Sequence, residues 1–156
     1  MEANEIISVL NTALTAEVEA ILVYTNSHTV CECPHLKLLM LETALDEMRH
    51  VKLLAEAIEE MDGKPELKPR QVRLKYAEDE ELLEHAEDLE EEAIDMYTKM
   101  IKDIDDDEIK SLLTKILDEE HGHMKDIEEV EEEWAEEEDE EEDDKEDDDK
   151  KDKDKG

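Results

Sequence analysis

The chain has 156 residues, enough for one domain with an apolar core, and sets 53 acidic residues against 18 Lys and Arg for a formal charge of −35. A surface of that sign repels phosphate backbones and anionic headgroups, which excludes nucleic acid and membrane surfaces as partners and favours cations. Three Gly, three Pro, no Phe and many Glu, Leu, Ala, Met and Lys predict long helices. No run of about 18 apolar residues and no basic-then-apolar N-terminus are present, so neither a membrane span nor a signal peptide is predicted.

The first helix is predicted from Asn4, as its N-cap, to Val30. Its apolar stripe runs through Ile6, Leu10, Ala13 or Leu14, Ala20 or Ile21 and Tyr24, and Glu17 interrupts it. The turn Cys31-Glu32-Cys33-Pro34 follows, with Pro34 suited to the first turn of the next helix. Two Cys so close do not make a disulfide framework, and a reducing cytoplasm is the simplest setting. With His35 they also offer three metal donors within five residues, although a reduced pair of loop thiols is the plainer reading.

The second helix is predicted to Met61, with Leu36, Met40, Leu54, Ala57 and Met61 on one stripe. Glu47 and His50 fall on that same stripe. A carboxylate turned into a core costs several kcal/mol unless something positive meets it. Spaced three apart, Glu47 and His50 lie one above the other and can reach a single ion. Asp62-Gly63 and then Pro65 stop this helix. Residues 63–77, with Pro65, Pro69, Lys68, Arg70, Arg73 and Lys75, form one connection long enough to cross a bundle from end to end.

The third helix is predicted from Glu78 to Lys102, and the acidic turn Asp103 to Asp107 supplies N-caps for a fourth that begins near Glu108 and passes Trp134. The fourth helix's stripe of Ile109, Leu112 or Leu113, Ile116, Ile127 and Val130 is broken by Glu120 and His123. From Glu131 to Gly156 there are 18 acidic residues and five Lys, a net −13 that leaves −22 for the first 130 residues. Residues 1–138 are therefore predicted as the bundle and residues 139–156 as an acidic tail, disordered beyond about Glu140 because it has almost nothing apolar to bury.

The chain repeats itself at a shift of 73 residues. Glu17, Ala20, Ile21, Tyr24 and Thr25 in EVEAILVYT map to Glu90, Ala93, Ile94, Tyr97 and Thr98 in EEEAIDMYT, and Glu47 and His50 map to Glu120 and His123. That frame selects Glu90 from the neighbouring Glu87, Glu91 and Glu92. Four helices packed roughly 8–10 Å apart bring four carboxylates and two imidazoles together at the axis. One Glu from each of two helices and Glu-x-x-His from each of the others is the donor set of di-iron carboxylate bundles. Such a set suits Fe, Mn or Zn, and redox chemistry and availability favour iron.

On LNTALTAEVEAI in helix 1, LDEMRH in helix 2 and ILDEEHGH in helix 4, the chain resembles the bacterioferritins and the wider ferritin-like di-iron group over roughly Glu5 to Glu133. The resemblance implies an all-α, ferritin-like four-helix bundle with one long crossover between helices 2 and 3. It makes Glu17, Glu47, His50, Glu90, Glu120 and His123 the ligands of two iron ions, with Glu47 and Glu120 bridging. It places Asp46 and Glu119 behind the ligand imidazoles, Glu119 standing where Asp is usual. It makes Met48 an axial ligand of a haem shared between two subunits. The short fifth helix of bacterioferritins is replaced by the acidic tail, so a smaller shell of twelve subunits is expected at least as readily as one of twenty-four, each built from dimers.

Tyr24 and Tyr97 read as buried aromatics with bonded hydroxyls, Tyr24 being the better candidate to touch the site. His121 lies about 200° around the helix from His123 and reads as exposed, as do His28 and His85. The tail reads as a solubilising extension or as a weak cation antenna. The expected function is a cytoplasmic ferroxidase and iron store that oxidises Fe²⁺ with O₂ or H₂O₂. A rubrerythrin-like peroxide or O₂ reductase, with retained irons and a ferredoxin-type reductant, is the nearest alternative. A non-catalytic acidic bundle that buffers metal or binds a basic protein is the alternative from another class.

Overall fold

The computed structural model describes residues 1–68 and 70–153, with side chains through Glu142. Its elements are α1 (Ala3–Val30), α2 (Pro34–Glu60), α3 (Asp79–Asp103) and α4 (Asp107–Lys153), with no strand among the described residues. α1 packs on α2 and α3 on α4, and the two pairs meet along α1–α3 and α2–α4.

The helix ends follow local hydrogen bonding. The N-cap of α1 is Glu2, two residues before the predicted cap, because Glu5 Oε2 accepts the Glu2 N–H at 2.8 Å and satisfies a donor left free at the helix start. Pro34 occupies the first turn of α2. The turn before it is tied to the start of α3, where the Asp79 carboxylate accepts the N–H of Glu32 at 3.1 Å and of Cys33 at 2.8 Å. α2 closes with Gly63 N–H on Ile58 O at 2.9 Å and Asp62 N–H on Glu59 O at 3.0 Å, the paired bonds of a Schellman end. The left-handed residue is Asp62, at φ 57°, rather than the glycine. Gly63 is needed for another reason: a Cβ there would lie 2.9 Å from Ile58 O and 3.0 Å from the Ile7 side chain. At α4, Asp106 caps the helix by accepting the Ile109 N–H at 3.0 Å.

The long connection climbs the outside of α1. Near one end Asn11 donates to Lys64 O at 3.1 Å and accepts the Glu66 N–H at 2.7 Å. Further along, Lys68 N–H meets Thr15 Oγ1 at 3.0 Å, and Asn26 donates to Leu74 O at 2.7 Å. Asn11 to Asn26 spans roughly 22 Å of helix at 1.5 Å per residue. The crossover therefore delivers α3 to the far end, antiparallel to α1.

The apolar core is divided. One cluster holds Ile6, Leu10, Leu54, Tyr97, Ile104, Leu113 and Ile116, and the other holds Tyr24, Leu36, Met40, Leu82, Ile127 and Val130 with Trp134 against it. Each buried Leu or Ile contributes about 1.5–3 kcal/mol, so apolar packing above and below can carry a polar layer between. α1 is long and apolar enough, by length and composition, to cross a membrane. Here its stripe forms the core and includes buried Glu17.

The backbone of α4 is helical through Lys153, beyond the point near Glu140 where composition predicts disorder. Elongation of a helix already nucleated by the bundle is far less costly than nucleation, so the backbone can continue here without an apolar face.

Candidate metal centre

Between the two apolar clusters lie Glu17 from α1, Glu47 and His50 from α2, Glu90 from α3, and Glu120 and His123 from α4, all buried. The 73-residue shift becomes a near two-fold arrangement. His50 Nδ1 lies 2.8 Å from Glu47 Oε2, 3.1 Å from Glu120 Oε1 and 3.5 Å from Glu17 Oε1. His123 Nδ1 lies 3.3 Å from Glu47 Oε1, 3.3 Å from Glu120 Oε2 and 3.6 Å from Glu90 Oε2. Two donor groups result, Glu17–Glu47–His50–Glu120 and Glu47–Glu90–Glu120–His123, with donor atoms within 4.8 Å of one another in each. Glu47 and Glu120 belong to both.

With all four carboxylates ionised, protein atoms alone leave this layer short of hydrogen-bond donors. One nitrogen can give one proton, yet each Nδ1 faces three carboxylate oxygens. The buried Glu90 Oε2 and Glu120 Oε1 accept no hydrogen bond. A cation in the middle of each group would meet three carboxylates and an imidazole at once, a donor set suited to Fe, Mn or Zn. The residues present thus fit two divalent ions that share a pair of carboxylates.

The next contacts fix how these donors point. His50 Nε2–H donates to Glu119, and His123 Nε2–H to Asp46 Oδ2 at 3.0 Å, so both Nδ1 atoms face inward. The Tyr24 hydroxyl donates to Glu90 and the Tyr97 hydroxyl to Glu17. In the sequence both read as buried aromatics with bonded hydroxyls, with Tyr24 preferred beside the site; Tyr97, its 73-residue counterpart, does the same work on the other side.

Protonation follows the same division. Burial pushes Glu17 well above the usual carboxylate range, with the neighbouring carboxylates adding to it, and pushes Glu90 up to about 8. Burial also opposes charge on Glu47 and Glu120, but the imidazoles outweigh it and hold both below the usual range. For the histidines, burial is outweighed by the carboxylates, raising His50 to about 12 and His123 further in the same direction. Burial and the adjacent carboxylates keep both tyrosines neutral.

A cavity of about 440 Å³ between α1 and α3 reaches Glu17, Glu47, Glu90 and Glu120 from the surface. Ala16, Ala20, Leu89, Ala93 and Met96 make its apolar walls, and Lys68 and Arg70 of the crossover border it. Arg70 Nε lies 2.5 and 2.6 Å from the two oxygens of Glu19, which pins the crossover beside this opening. The sequence showed the basic cluster but not its partner.

Other candidates separate from the centre. Cys31 and Cys33 are free thiols, and among the described residues they form no metal-sized donor group with His35, whose ring bonds Glu133 at 2.8 Å. His121 is exposed, as predicted. His28 and His85 are not: they are half-buried, His28 Nδ1 lying 2.7 Å from Lys37 O and His85 Nδ1 2.5 Å from the Tyr76 hydroxyl. His28 sits against the first turn of α2 and His85 against the crossover, contacts that a helical period does not reveal. Met48 is half exposed and points away from the centre.

A four-helix bundle with one crossover and a shared-carboxylate donor layer defines the ferritin-like di-iron carboxylate class. The family model described as Rubrerythrin matches residues 8–131, and the chain belongs to that family. Among solved structures, it is 30% identical to the bacterioferritin of Desulfovibrio desulfuricans, over 82% of this chain and 78% of that one, at a TM-score of 0.76. A ferritin-like di-iron carboxylate protein of Bacillus anthracis is 27% identical over 83% and 99%, at 0.75. The bacterioferritin-related thioferritin of Bacteroides fragilis shares the fold at 23% identity over 89% and 91%, at 0.81. A search of curated proteins finds no match.

Proposed function

We propose that the protein is a ferroxidase that takes up Fe²⁺, oxidises it with O₂ or H₂O₂ and stores or detoxifies the ferric product. The observation that carries this reading is the pair of donor groups joined through Glu47 and Glu120. Two iron ions held there would each supply one electron, the two-electron unit that dioxygen and peroxide accept. Glu17, Glu90, His50 and His123 would each hold one ion from one side, while Glu47 and Glu120 ionise and span both. Asp46 and Glu119 hold the imidazoles so that Nδ1 lone pairs face the ions. Tyr24 and Tyr97 keep Glu90 and Glu17 in place, and the apolar clusters exclude bulk water on both sides. The cavity between α1 and α3 supplies the approach for ions and oxidant.

Storage requires a closed shell, which we propose to contain twelve or twenty-four copies built from dimers. Leu38, Leu41, Leu45 and Met48 form one exposed stripe on α2, an apolar surface suited to a second copy. The B. fragilis relative is described as dodecameric. Met48 on that stripe would be the axial ligand if a haem lies between two copies, a role that rests on the resemblance to bacterioferritins. The unpaired thiols of Cys31 and Cys33 suit a cytoplasmic setting.

Stepwise addition of Fe²⁺ in air, followed at 300–600 nm, tests the reading. Ferric absorbance growing well beyond two irons per chain is expected, and its loss in Glu47→Ala. Saturation at two irons per chain favours instead a peroxide or O₂ reductase with retained irons and a ferredoxin-type reductant, the second reading that the rubrerythrin match supports. Unchanged behaviour of Glu47→Ala would leave only the non-catalytic, metal-buffering bundle. A sharp band near 400 nm before iron is added, absent from Met48→Leu, identifies the haem.

A further inference from the structure

Resting on the two-metal reading, we propose that Arg49 is a positioning residue that sets both imidazoles at once, so that the two metal positions form as a pair. Arg49 is on α2 and points outward over the seam between α2 and α4. Its Nη1 donates to both oxygens of Glu119, at 2.7 and 2.8 Å, and its Nη2 to Asp46 Oδ1 at 2.6 Å. Those two carboxylates hold the imidazoles crosswise. Asp46 of α2 takes the Nε2–H of His123 on α4, and Glu119 of α4 takes that of His50 on α2. One guanidinium therefore closes a chain of hydrogen bonds from one inward Nδ1 to the other.

The carboxylates need such a tie. Asp46 and Glu119 are 41% and 39% exposed, so water competes for each, while His50 and His123 behind them are almost wholly buried. A half-exposed carboxylate loses conformational freedom when it is pinned to a ring nitrogen, and a forked guanidinium offsets part of that cost.

The internal repeat shows that the arrangement is asymmetric. Shifted by 73 residues, Glu47, His50 and Asp46 find Glu120, His123 and Glu119, but Arg49 finds Gly122. A Cβ at Gly122 would touch nothing within 4 Å, so the missing side chain is not a packing requirement. With no arginine on α4, one guanidinium serves both halves. It reaches Asp46 three residues back on its own helix and must also span to α4, where Glu119 offers one methylene more than its counterpart Asp46. The replacement of the usual Asp by Glu at 119 thereby acquires a physical reason. Lysine could not substitute, because a single ammonium lacks the fork that holds two carboxylates in fixed directions.

The test is equilibrium dialysis of the full-length, metal-stripped chain against Co²⁺ without oxygen, at a free concentration that just fills the wild type with two ions. Asp46→Asn and Glu119→Gln should each keep one ion, with the histidine whose tether is removed losing its metal. Arg49→Met should lose both, each binding about 10–100-fold more weakly. Arg49→Lys should retain one. The double variant Arg49→Met with Gly122→Arg should recover both, because it restores the guanidinium from the opposite helix; a merely structural role for Arg49 would not produce that rescue. Two ions of wild-type affinity in Arg49→Met, or selective loss of one, would overturn the inference. Should Arg49→Met fail to fold, the inference still fails if Asp46→Asn and Glu119→Gln both retain two tight ions. A wild-type chain that takes up no Co²⁺ removes the two-metal reading itself, whatever the variants do.

Discussion

Loading the metal layer should release about four protons per chain at pH 7. In the metal-free layer Glu17 and Glu90 hold protons, Glu47 and Glu120 are ionised, and both imidazoles are charged. Two positive rings then balance two carboxylates, which explains how four buried carboxyl groups are tolerated without an ion. Two divalent ions need all four carboxylates ionised and both Nδ1 atoms free of protons. The filled layer is neutral as well, so the change is an exchange of four protons for two ions. With Glu90 held near 8, its carboxyl is roughly 90% protonated at pH 7, one unit below its midpoint. Two protons per ion make each apparent affinity rise about 100-fold per pH unit between pH 6 and 7.5, and less steeply once Glu90 ionises on its own above 8. The stability linkage has the opposite sign. Glu90's contribution to the metal-free fold is fully present below its unfolded value of 4.5 and is lost as pH rises through about 8; that of His50 is present below 6.5 and fades as pH rises toward about 12. Calorimetric titration with Zn²⁺ at pH 7, in two buffers of different ionisation enthalpy, counts the protons. Glu90→Gln should lower the count by one. Release of one proton or fewer by the wild type would refute the reasoning, since the layer would then be anionic carboxylates facing neutral imidazoles.

Replacing all six donors by Leu should raise the denaturation midpoint of the metal-free chain, by roughly 1–4 kcal/mol in stability, while abolishing Zn²⁺ uptake; a less stable variant in urea titration would show that the layer supports the fold. Gly63→Ala should cost about 1–3 kcal/mol because its Cβ meets Ile58 O at 2.9 Å, and a urea midpoint equal to that of wild type would contradict the tight α2 end. Arg70→Ala unpins the crossover from Glu19, so an external chelator should strip bound Zn²⁺ several-fold faster with little change in affinity. An unchanged stripping rate would place the entry route elsewhere than the cavity between α1 and α3.

Much of this architecture was legible because helices keep register. Glu17, Glu47, His50, Glu90, Glu120 and His123 each stand on an apolar stripe, and a period of 3.6 residues carries that stripe to the bundle axis wherever the helix begins. This is why Glu90 could be told from Glu91 and Glu92, which are exposed, by the register of Ala93 and Tyr97 alone. It is also why beginning α1 two residues early left the core unchanged. What escaped depends on contacts that have no period. His28 and His85 meet residues nine positions away on the other side of a chain turn, and Arg70 meets Glu19 only because the crossover runs along α1.

The internal repeat sharpens the distinction between what a pattern can show and what it hides. Positions that repeat, such as Tyr24 with Tyr97, state a shared duty, and the hydroxyl of each does hold the Glu of the facing helix. Positions that fail to repeat attract no notice in the sequence, because a mismatch in a diverged duplication is unremarkable. In the folded chain the mismatched pair Arg49 and Gly122 lies at the two-fold seam, where one side chain can serve two halves and a second would find both carboxylates taken. Symmetry thus accounts for the donors, and its local failure accounts for what orients them.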